Sequence, residues 1–558
     1  MPDGPGIMLT LFVEDWRDLW GGAESPDAVG AVFTKPEIVS LILDLVGYLP
    51  DKRLIGHRLL EPSSGDGAFL TEIVRRVIAS EVAASGVIDW AEPLLDDAIV
   101  ATDISLASVT TARSLVASLL VAAGCPGPRA KRLATKWVVQ TDFLLADWPA
   151  KFDFIVGNPP YVRLEQVPKQ VMARYRQLFA TATDRADLYV AFIERGLQLL
   201  APAGVLGFIC ANRFTKNKYG EALRRLIAHR YHVRYYINLE HTQPFFSDVS
   251  AYPAIIVLDG KRGKPTRAAT LDDIEEATLA CLRKEALGKY RPHGMISQFQ
   301  SWYPAGGPWL TTSADEGAVL TKLNGSFPTL ELSGPNTRVG IGVATGADSV
   351  FVLKQKHEGI EESRQIPLLM SGDIGNDVLR WSGHYLLNPF ADADDGSLAD
   401  LPSYPGMAQY LSRHREQLLG RHVAKARPKN WYRTIDRIWP QWRSQHKLVI
   451  PDIQSAGTIG YDRGEYYPHH NIYWITSDSW PLLALKTLLR SSMVYQQVRA
   501  YSVQMRGGSL RFQAQTLRKL RLPAVNTLRD ELLSRLEDAA NSPDQHELDA
   551  LAHEAFQG

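Results

Sequence analysis

The sequence predicts a doubly wound α/β fold, a mostly parallel sheet with helices on both faces, joined to a separate mixed α+β module. Three observations predict it. Short apolar runs alternate with segments of helical periodicity from Pro36 to Leu258. That rhythm stops at Gly260-Lys-Arg-Gly-Lys-Pro265, the sharpest change of composition in the chain. A chain of 558 residues is also too long for one ordinary hydrophobic core.

The elements follow in order. Ile38, Leu41, Ile42 and Leu45 have helical spacing within Pro36–Leu49, and Pro36 suits a first turn. Arg58–Glu61 reads as the first strand, with a glycine-containing loop and a helix over Ala68–Ala84 after it. Ala98–Thr102 is the second strand and Leu106–Ala122 the next helix; Lys136–Gln140 and Phe152–Val156 are the third and fourth strands. Leu188–Leu200 is helical, Gly204–Ile209 a fifth strand, Tyr219–Arg230 helical again, and Val233–Ile237 and Ala254–Leu258 close the region as strands. Residues 1–33 read as a short leader, and residues 271–289 as helical. From about Arg338 the chain is rich in Trp, Tyr, Gly and Pro with short strand-like pieces, ending in helices near Pro481–Arg499 and Leu528–Phe556. The expected division is 1–260, a connector over 261–337, and 338–558.

Composition excludes several classes. There are 61 basic and 61 acidic residues, so a nucleic-acid partner would need a local basic face rather than overall charge. Cys125, Cys210 and Cys281 are too widely spaced for a disulfide framework or a zinc pattern, which fits a reducing cytoplasm. Asp3, Glu14 and Asp15 stand where a signal peptide would be basic. No apolar run approaches the roughly 18–20 residues of a spanning helix, so no membrane partner is expected. His469 and His470 are adjacent and lack other ligand spacing, so no metal is expected.

Asn158, Pro159, Pro160 and Tyr161 follow the fourth strand and therefore sit where open α/β sheets place their ligand crevice. Two prolines remove two backbone donors and fix two φ angles, and Pro159 biases Asn158 toward extended geometry. The Asn158 side chain accepts from an amino group, nearby backbone carbonyls do the same, and Tyr161 offers an aromatic face to a planar ring. A stiffened turn is the plain alternative. After the first strand, Glu61-Pro62-Ser63-Ser64-Gly65-Asp66-Gly67-Ala68-Phe69 has neither the G-x-G-x-x-G of nicotinamide folds nor a P-loop. Its glycines let backbone pass close to a ligand, yet nothing cradles phosphate. Asp103 ends the second strand, suited to two ribose hydroxyls, and Asp142 ends the third, suited to an adenine amine.

Taken as an ordered set, these segments resemble the gamma-type, TaqI-like DNA adenine methyltransferases of restriction–modification systems. The resemblance covers about Val32 to Leu258. Phe33-Thr34-Lys35-Pro36 looks like the family's N-terminal cofactor segment, with Lys35 where a proline is usual. Glu61, Pro62, Ser63, Gly65, Gly67 and Phe69 look like its S-adenosyl-L-methionine loop. Asp103 with Ile104 looks like the ribose acid and its adenine-packing neighbour, and Asp142 with Phe143 completes the cofactor set that begins at Thr34. Asp187–Phe192 and Gly204–Phe214 resemble later segments of the family. Gly340–Asp348 and Trp431-Tyr-Arg-Thr-Ile435 more loosely resemble its recognition domain.

The resemblance implies a Rossmann-like methyltransferase sheet, a C-terminal DNA-recognition domain, and methyl transfer to the N6 amine of an adenine flipped out of duplex DNA. Hydrogen bonds to the Asn158 side chain and the Pro159 carbonyl would aim the amine's lone pair. Tyr161 would stack on one face of the base. A phenylalanine of Gln243–Tyr252 would stack on the other, Phe246 in preference to Phe245. It also implies a cytoplasmic bacterial enzyme, a monomer rather than a dimer, with a cognate restriction endonuclease or defence subunits as separate chains.

Between Arg413 and Lys447 ten basic residues face two acids, Glu416 and Asp436, with Trp431, Tyr432, Trp439 and Trp442 interleaved. Arg421, Lys425, Arg427, Lys429, Arg433 and Arg437 are the expected DNA contacts; a solvated face over buried tryptophans is the alternative. Arg506, Arg511, Arg518 and Arg521 form a weaker cluster. The only acid-x-Lys triplet, Asp259-Gly260-Lys261, has no partner acid at useful distance, so a fused nuclease is not expected. Two other classes stay open: an N-methyltransferase acting on protein glutamine or RNA, and a non-catalytic DNA-binding subunit that keeps only the fold.

Overall fold

The alternating apolar runs pair into one nine-stranded sheet. Its strands are β1 (Leu59–Glu61), β2 (Ile99–Asp103), β3 (Val138–Gln140), β4 (Phe152–Gly157), β5 (Leu200–Ala211), β6 (His232–Asn238), β7 (Pro253–Asp259), β8 (Thr266–Thr270) and β9 (Ser297–Phe299). The spatial order is β3-β2-β1-β4-β5-β7-β6-β8-β9. From β3 to β5 every pairing is parallel, and β7 enters antiparallel between β5 and β6. The computed structural model describes residues 16–20, 32–183, 185–246, 252–260, 263–288, 294–299, 303, 306–309, 314–375, 378–392, 395–454, 457–502 and 509–557.

Period-two patterning decides which face each side chain takes. Ile255 and Val257 of β7 join one core, while Ala254, Ile256 and Leu258 join the other. The helices are α1 (Trp16–Trp20), α2 (Pro36–Val46), α3 (Ala68–Ser85), α4 (Leu106–Ala122), α5 (Gly127–Trp137), α6 (Lys169–Leu178), α7 (Tyr189–Leu199), α8 (Glu221–Arg230) and α9 (Glu276–Leu287). The first core takes its helical side chains from α2, α3, α4, α5 and α9, the second from α1, α6, α7 and α8. This is the doubly wound arrangement the alternation predicts. No helix among the described residues is long and apolar enough to cross a membrane.

Two expectations change. The third strand begins at Val138, because Lys136 and Trp137 end α5. Ala130, Leu133, Ala134 and Trp137 recur at helical spacing and are all buried, so a helix precedes the strand. The break at residue 260 is not the end of the first module. β8 pairs parallel with β6 and β9 antiparallel with β8, so strands beyond Pro265 extend the same sheet. The chain divides into two compact units, 1–314 and 315–558.

The second unit is built on short, mostly antiparallel strands. Arg338–Ile341, Ile472–Thr476, Lys447–Pro451 and Gly460–Asp462 form one four-stranded sheet in that order. Helices Leu482–Arg490, Ser492–Tyr501, Asp530–Asp538 and Gln545–Gln557 share a core with it.

Candidate active site

β2 and β3 lie on one side of β1, while β4 lies on the other. The chain therefore reverses its direction of travel between β1 and β4, and a crevice opens at the carboxyl ends of such strands. Glu61 closes β1 and Asn158 follows β4, so topology sets them at this point. A cavity with about 1100 Å³ of free space, partly open to solvent, occupies it. Of the residues expected at the site, Thr34, Glu61, Pro62, Ser63, Gly65, Phe69, Asp103, Ile104, Asp142, Phe143, Asn158, Pro159, Pro160 and Tyr161 all line it. Gly67 and Phe246 do not; Gly67, at φ +90°, makes the turn into α3, a conformation that costs glycine little.

Asn158 is held from one end. Its Nδ2 donates to the Val32 carbonyl at 2.8 Å and to Thr34 Oγ1 at 3.2 Å. Its Oδ1 is buried and has no partner. The Asn158 main-chain carbonyl accepts from Ser63 Oγ at 3.0 Å, tying the tetrapeptide to the loop after β1.

Thr34 and Phe245 form an isolated antiparallel bridge, extended by Lys35 N to the Pro244 carbonyl and Phe246 N to the Phe33 carbonyl. This pairing separates the two phenylalanines. Phe245 is 5% exposed, and its ring lies edge-on to Tyr161 with centroids 6.0 Å apart; Phe246 is 68% exposed. Residues 247–251 of the same segment lie outside the described residues.

The acids differ sharply in their surroundings. Asp103 accepts from Gly65 N and Ser105 N, both at 2.9 Å, which fixes its carboxylate at the glycine loop. Glu61 is 1% exposed and its Oε2 has no partner. Burial, and then the charges of Asp103 and Asp66, push its carboxyl well above the usual range. Asp142 takes four hydrogen bonds: Leu144 N and Leu145 N on Oδ1, Trp20 Nε1 at 3.0 Å and Tyr175 Oη at 2.6 Å on Oδ2. Its carboxylate is saturated by the protein, so the expected acceptor of an adenine amine is already engaged. Asp142 instead holds Trp20 and Tyr175 in the cavity wall.

Trp20 and Tyr175 were not foreseen, nor was Ser64, whose buried Oγ has no partner and which lines the cavity. Ser64 lies inside the glycine loop, which was its only signal. Trp20 lies in the stretch expected to be a leader, and its one hint is an indole close to Trp16 at helical spacing.

In the second unit the basic segment resolves into two kinds of side chain. Lys425, Arg427 and Lys429 are exposed. Arg421 is a structural group: its guanidinium donates to the carbonyls of Leu418, Thr345, Trp431 and Arg433 and lies over the Phe351 ring. Four of its five N–H donors are committed to main-chain carbonyls, so its first role is to hold this loop. Arg433 and Arg437 are half-buried, the first donating to the Thr434 carbonyl and the second lying 3.4 Å over the Trp439 ring. Lys447 is buried in an ion pair with Asp462. Arg511, Arg518 and Arg521 are likewise engaged, by Asp452, Glu331 and Asn324. Arg506 and Lys261 lie outside the described residues.

Comparison with known proteins matches this site to a family. A family model described as Eco57I restriction-modification methylase matches residues 127–246. The chain is 42% identical over 536 residues to the type II methyltransferase M.XhoI of Xanthomonas vasicola, covering 95% of this chain and 97% of that one. It is 43% identical over 522 residues to the type II methyltransferase M.PaeR7I of Pseudomonas aeruginosa, covering 93% and 90%. The solved structure of the type IIL restriction-modification enzyme MmeI in complex with DNA shares the fold, with a TM-score of 0.63 over 94% of this chain and 74% of that chain at 13% identity. Identity at this level over nearly the whole of both chains places the protein: it belongs to the type II DNA methyltransferases of restriction–modification systems.

Proposed function

We propose that this DNA methyltransferase is adenine-specific, acting on the exocyclic N6 amine of an adenine flipped out of duplex DNA. The observation that carries the proposal is Asn158 Oδ1, a buried acceptor without a partner in the cavity lining. A buried acceptor left unsatisfied costs roughly 1–3 kcal/mol. An exocyclic amine satisfies it and, with the Pro159 carbonyl accepting its second proton, has its lone pair turned out of the ring plane. Positioning and fixed dipoles then supply most of the gain, and the surplus proton leaves to solvent after transfer. Flipping follows from access, since the amine is hidden in the duplex. Exposed Phe246 and the Tyr161 ring are the aromatic faces for the extruded base.

The residues present fit S-adenosyl-L-methionine. Asp103 would take the ribose hydroxyls, and the unpartnered Glu61 Oε2 would take a cationic group of the amino-acid end. When bound, the cofactor supplies a methyl group on a sulfonium. Ile104, Phe143 and Trp20 would enclose the adenine end. The second unit would hold duplex DNA through Lys425, Arg427 and Lys429. The protein would act as a cytoplasmic monomer, with its cognate endonuclease a separate chain.

The test is mass spectrometry of nucleosides from duplex DNA incubated with the protein and methyl-labelled cofactor. Labelled N6-methyladenine is expected. Label on cytosine alone would overturn adenine specificity while leaving the family unchanged.

A further inference from the structure

We propose that Asp348, His469 and His470 of the second unit form a binding site for a divalent first-row transition cation, with zinc as the natural fit. One carboxylate oxygen and one nitrogen from each imidazole all lie within 4.8 Å of one another. His469 Nε2 is 3.1 Å from Asp348 Oδ2, and His470 Nδ1 is 4.0 Å from the same oxygen. Donors around a tetrahedral zinc with bonds near 2.0–2.1 Å stand roughly 3.3 Å apart, so a small inward turn of the His470 ring completes the set.

A hydrogen bond between His469 Nε2 and Asp348 accounts for one imidazole nitrogen; His469 Nδ1 and His470 Nδ1 are both buried without a hydrogen-bond partner. His470 Nδ1 is buried, has no hydrogen-bond partner, and is too far from Asp348 to make one. A cation between the three groups satisfies His469 Nε2, His470 Nδ1 and the carboxylate together. Two imidazoles and one carboxylate suit zinc, cobalt or nickel rather than calcium or magnesium, which ask for oxygen ligands.

Support behind the carboxylate and behind the His469 main chain is in place, while His469 Nδ1 has no hydrogen-bond partner. Thr345 Oγ1 accepts from Ala347 N at 3.1 Å and donates to Asp348 Oδ1 at 2.5 Å, which fixes the carboxylate and leaves Oδ2 toward the imidazoles. Thr345 is fully buried. The His469 main chain is pinned by its N–H to the Leu369 carbonyl at 3.0 Å and by its carbonyl to Ile472 N at 2.8 Å. Outer partners of this kind orient metal ligands. Asp348 is 121 residues from His469 in the chain, which is why adjacent histidines alone showed no ligand spacing. The Thr345 carbonyl also accepts from Arg421 and Ile435, so a cation here would pin the loop that anchors the basic segment.

The test uses the full-length protein stripped of metal with a chelator. Calorimetric titration with zinc should show one equivalent bound, and cobalt should give the visible absorption of a nitrogen-ligated ion. His470→Gln and Asp348→Asn should each weaken zinc at least about tenfold, and Thr345→Val by about tenfold as an outer-partner loss. Folding of each variant is checked by circular dichroism. If a variant does not fold, the cobalt spectrum of the unaltered protein decides: a spectrum like that of the free aquo ion overturns the proposal. No stoichiometric zinc uptake, or uptake unchanged in folded His470→Gln and Asp348→Asn, also overturns it. None of these readouts depends on methyl transfer, so their outcome is separate from that of the adenine proposal.

Discussion

Thr34 Oγ1 accepts a hydrogen bond from Asn158 Nδ2 at 3.2 Å, tying residues 124 apart in the chain together at the end of the fourth strand. The Val32 carbonyl, at 2.8 Å on the same nitrogen, can only accept, so the amide nitrogen must face it and the oxygen is left over. Asn158→Ala should therefore lower methylation about 10²–10³-fold, the scale of one lost preorganised hydrogen-bonding group. Cofactor affinity and the circular dichroism spectrum should not change. Near-normal turnover of duplex DNA by this variant would contradict the assigned role.

Phe245 and Phe246 should behave oppositely. Phe245 packs in the core beside Tyr161, so Phe245→Ala should cost stability on the order of 3–5 kcal/mol. Phe246 is exposed, so Phe246→Ala should leave the melting temperature alone and weaken base capture by roughly 1–3 kcal/mol. Thermal melts paired with DNA-dependent turnover check both. Equal turnover of Phe246→Ala and the unaltered protein would return the stacking role to another side chain.

Asp103 and Asp142 should also separate. Asp103→Ala removes a charged acceptor at the glycine loop and should weaken S-adenosyl-L-methionine by roughly 1.5–3 kcal/mol in calorimetry. Asp142→Ala strands Trp20, Tyr175 and two backbone N–H groups at once, so its main effect should be a lower melting temperature. A stable Asp142→Ala protein with selectively lost cofactor affinity would show that the carboxylate serves the cofactor after all.

Glu61 sets a pH dependence. Its carboxyl is raised by burial, then by Asp103 and Asp66, so the folded chain keeps this proton to higher pH than the unfolded chain. Below about pH 4.3 both forms are protonated; above it the unfolded chain ionises first, and this group's contribution to stability falls until pH passes the folded value. A cationic cofactor favours the ionised form, so within that window binding should release a proton and affinity should rise up to about tenfold per pH unit. Calorimetry in buffers of different ionisation enthalpy reads the proton directly, and Glu61→Gln should abolish it. No proton release at the acid end of the window would remove Glu61 from the cofactor site.

Charge reversal of roles within the basic segment is the last expectation. Neutralising Lys425, Arg427 and Lys429 together should weaken DNA binding and lower the salt slope by about 0.9 for each lost phosphate contact. Arg421→Ala should lower the melting temperature and change that slope little, because carbonyls occupy four of its five donors. Filter binding across a salt series distinguishes the two. A slope that fell as much for Arg421→Ala would place its guanidinium on DNA.

Local pattern carried much of the architecture. Leu106–Ala122 has the bounds its periodicity predicts, Pro36 opens its helix, and the strand ends before or at Glu61, Asp103 and Asn158 were legible because short apolar runs stop at loop residues. Those strand ends converge on one cavity because parallel strands present their carboxyl ends on the same side. The α5 helix was missed, although its buried residues recur at the 130, 133, 134, 137 spacing, because Lys136–Gln140 was read as a strand.

Hydrogen-bond saturation and exposure were not legible, because both depend on partners far away in the chain. Asp142 is spoken for by Trp20 from 122 residues earlier, and Arg421 reaches Thr345 across 76. Phe245 and Phe246 are identical in type, and only the pairing of their strand with residues 33–35 turns one into the core and the other to solvent. Asp348 meets His469 and His470 through the packing of the second unit. Residue type tells what a side chain can bind; whether it is still available to bind depends on which distant donors, acceptors and rings the folded chain has already placed against it.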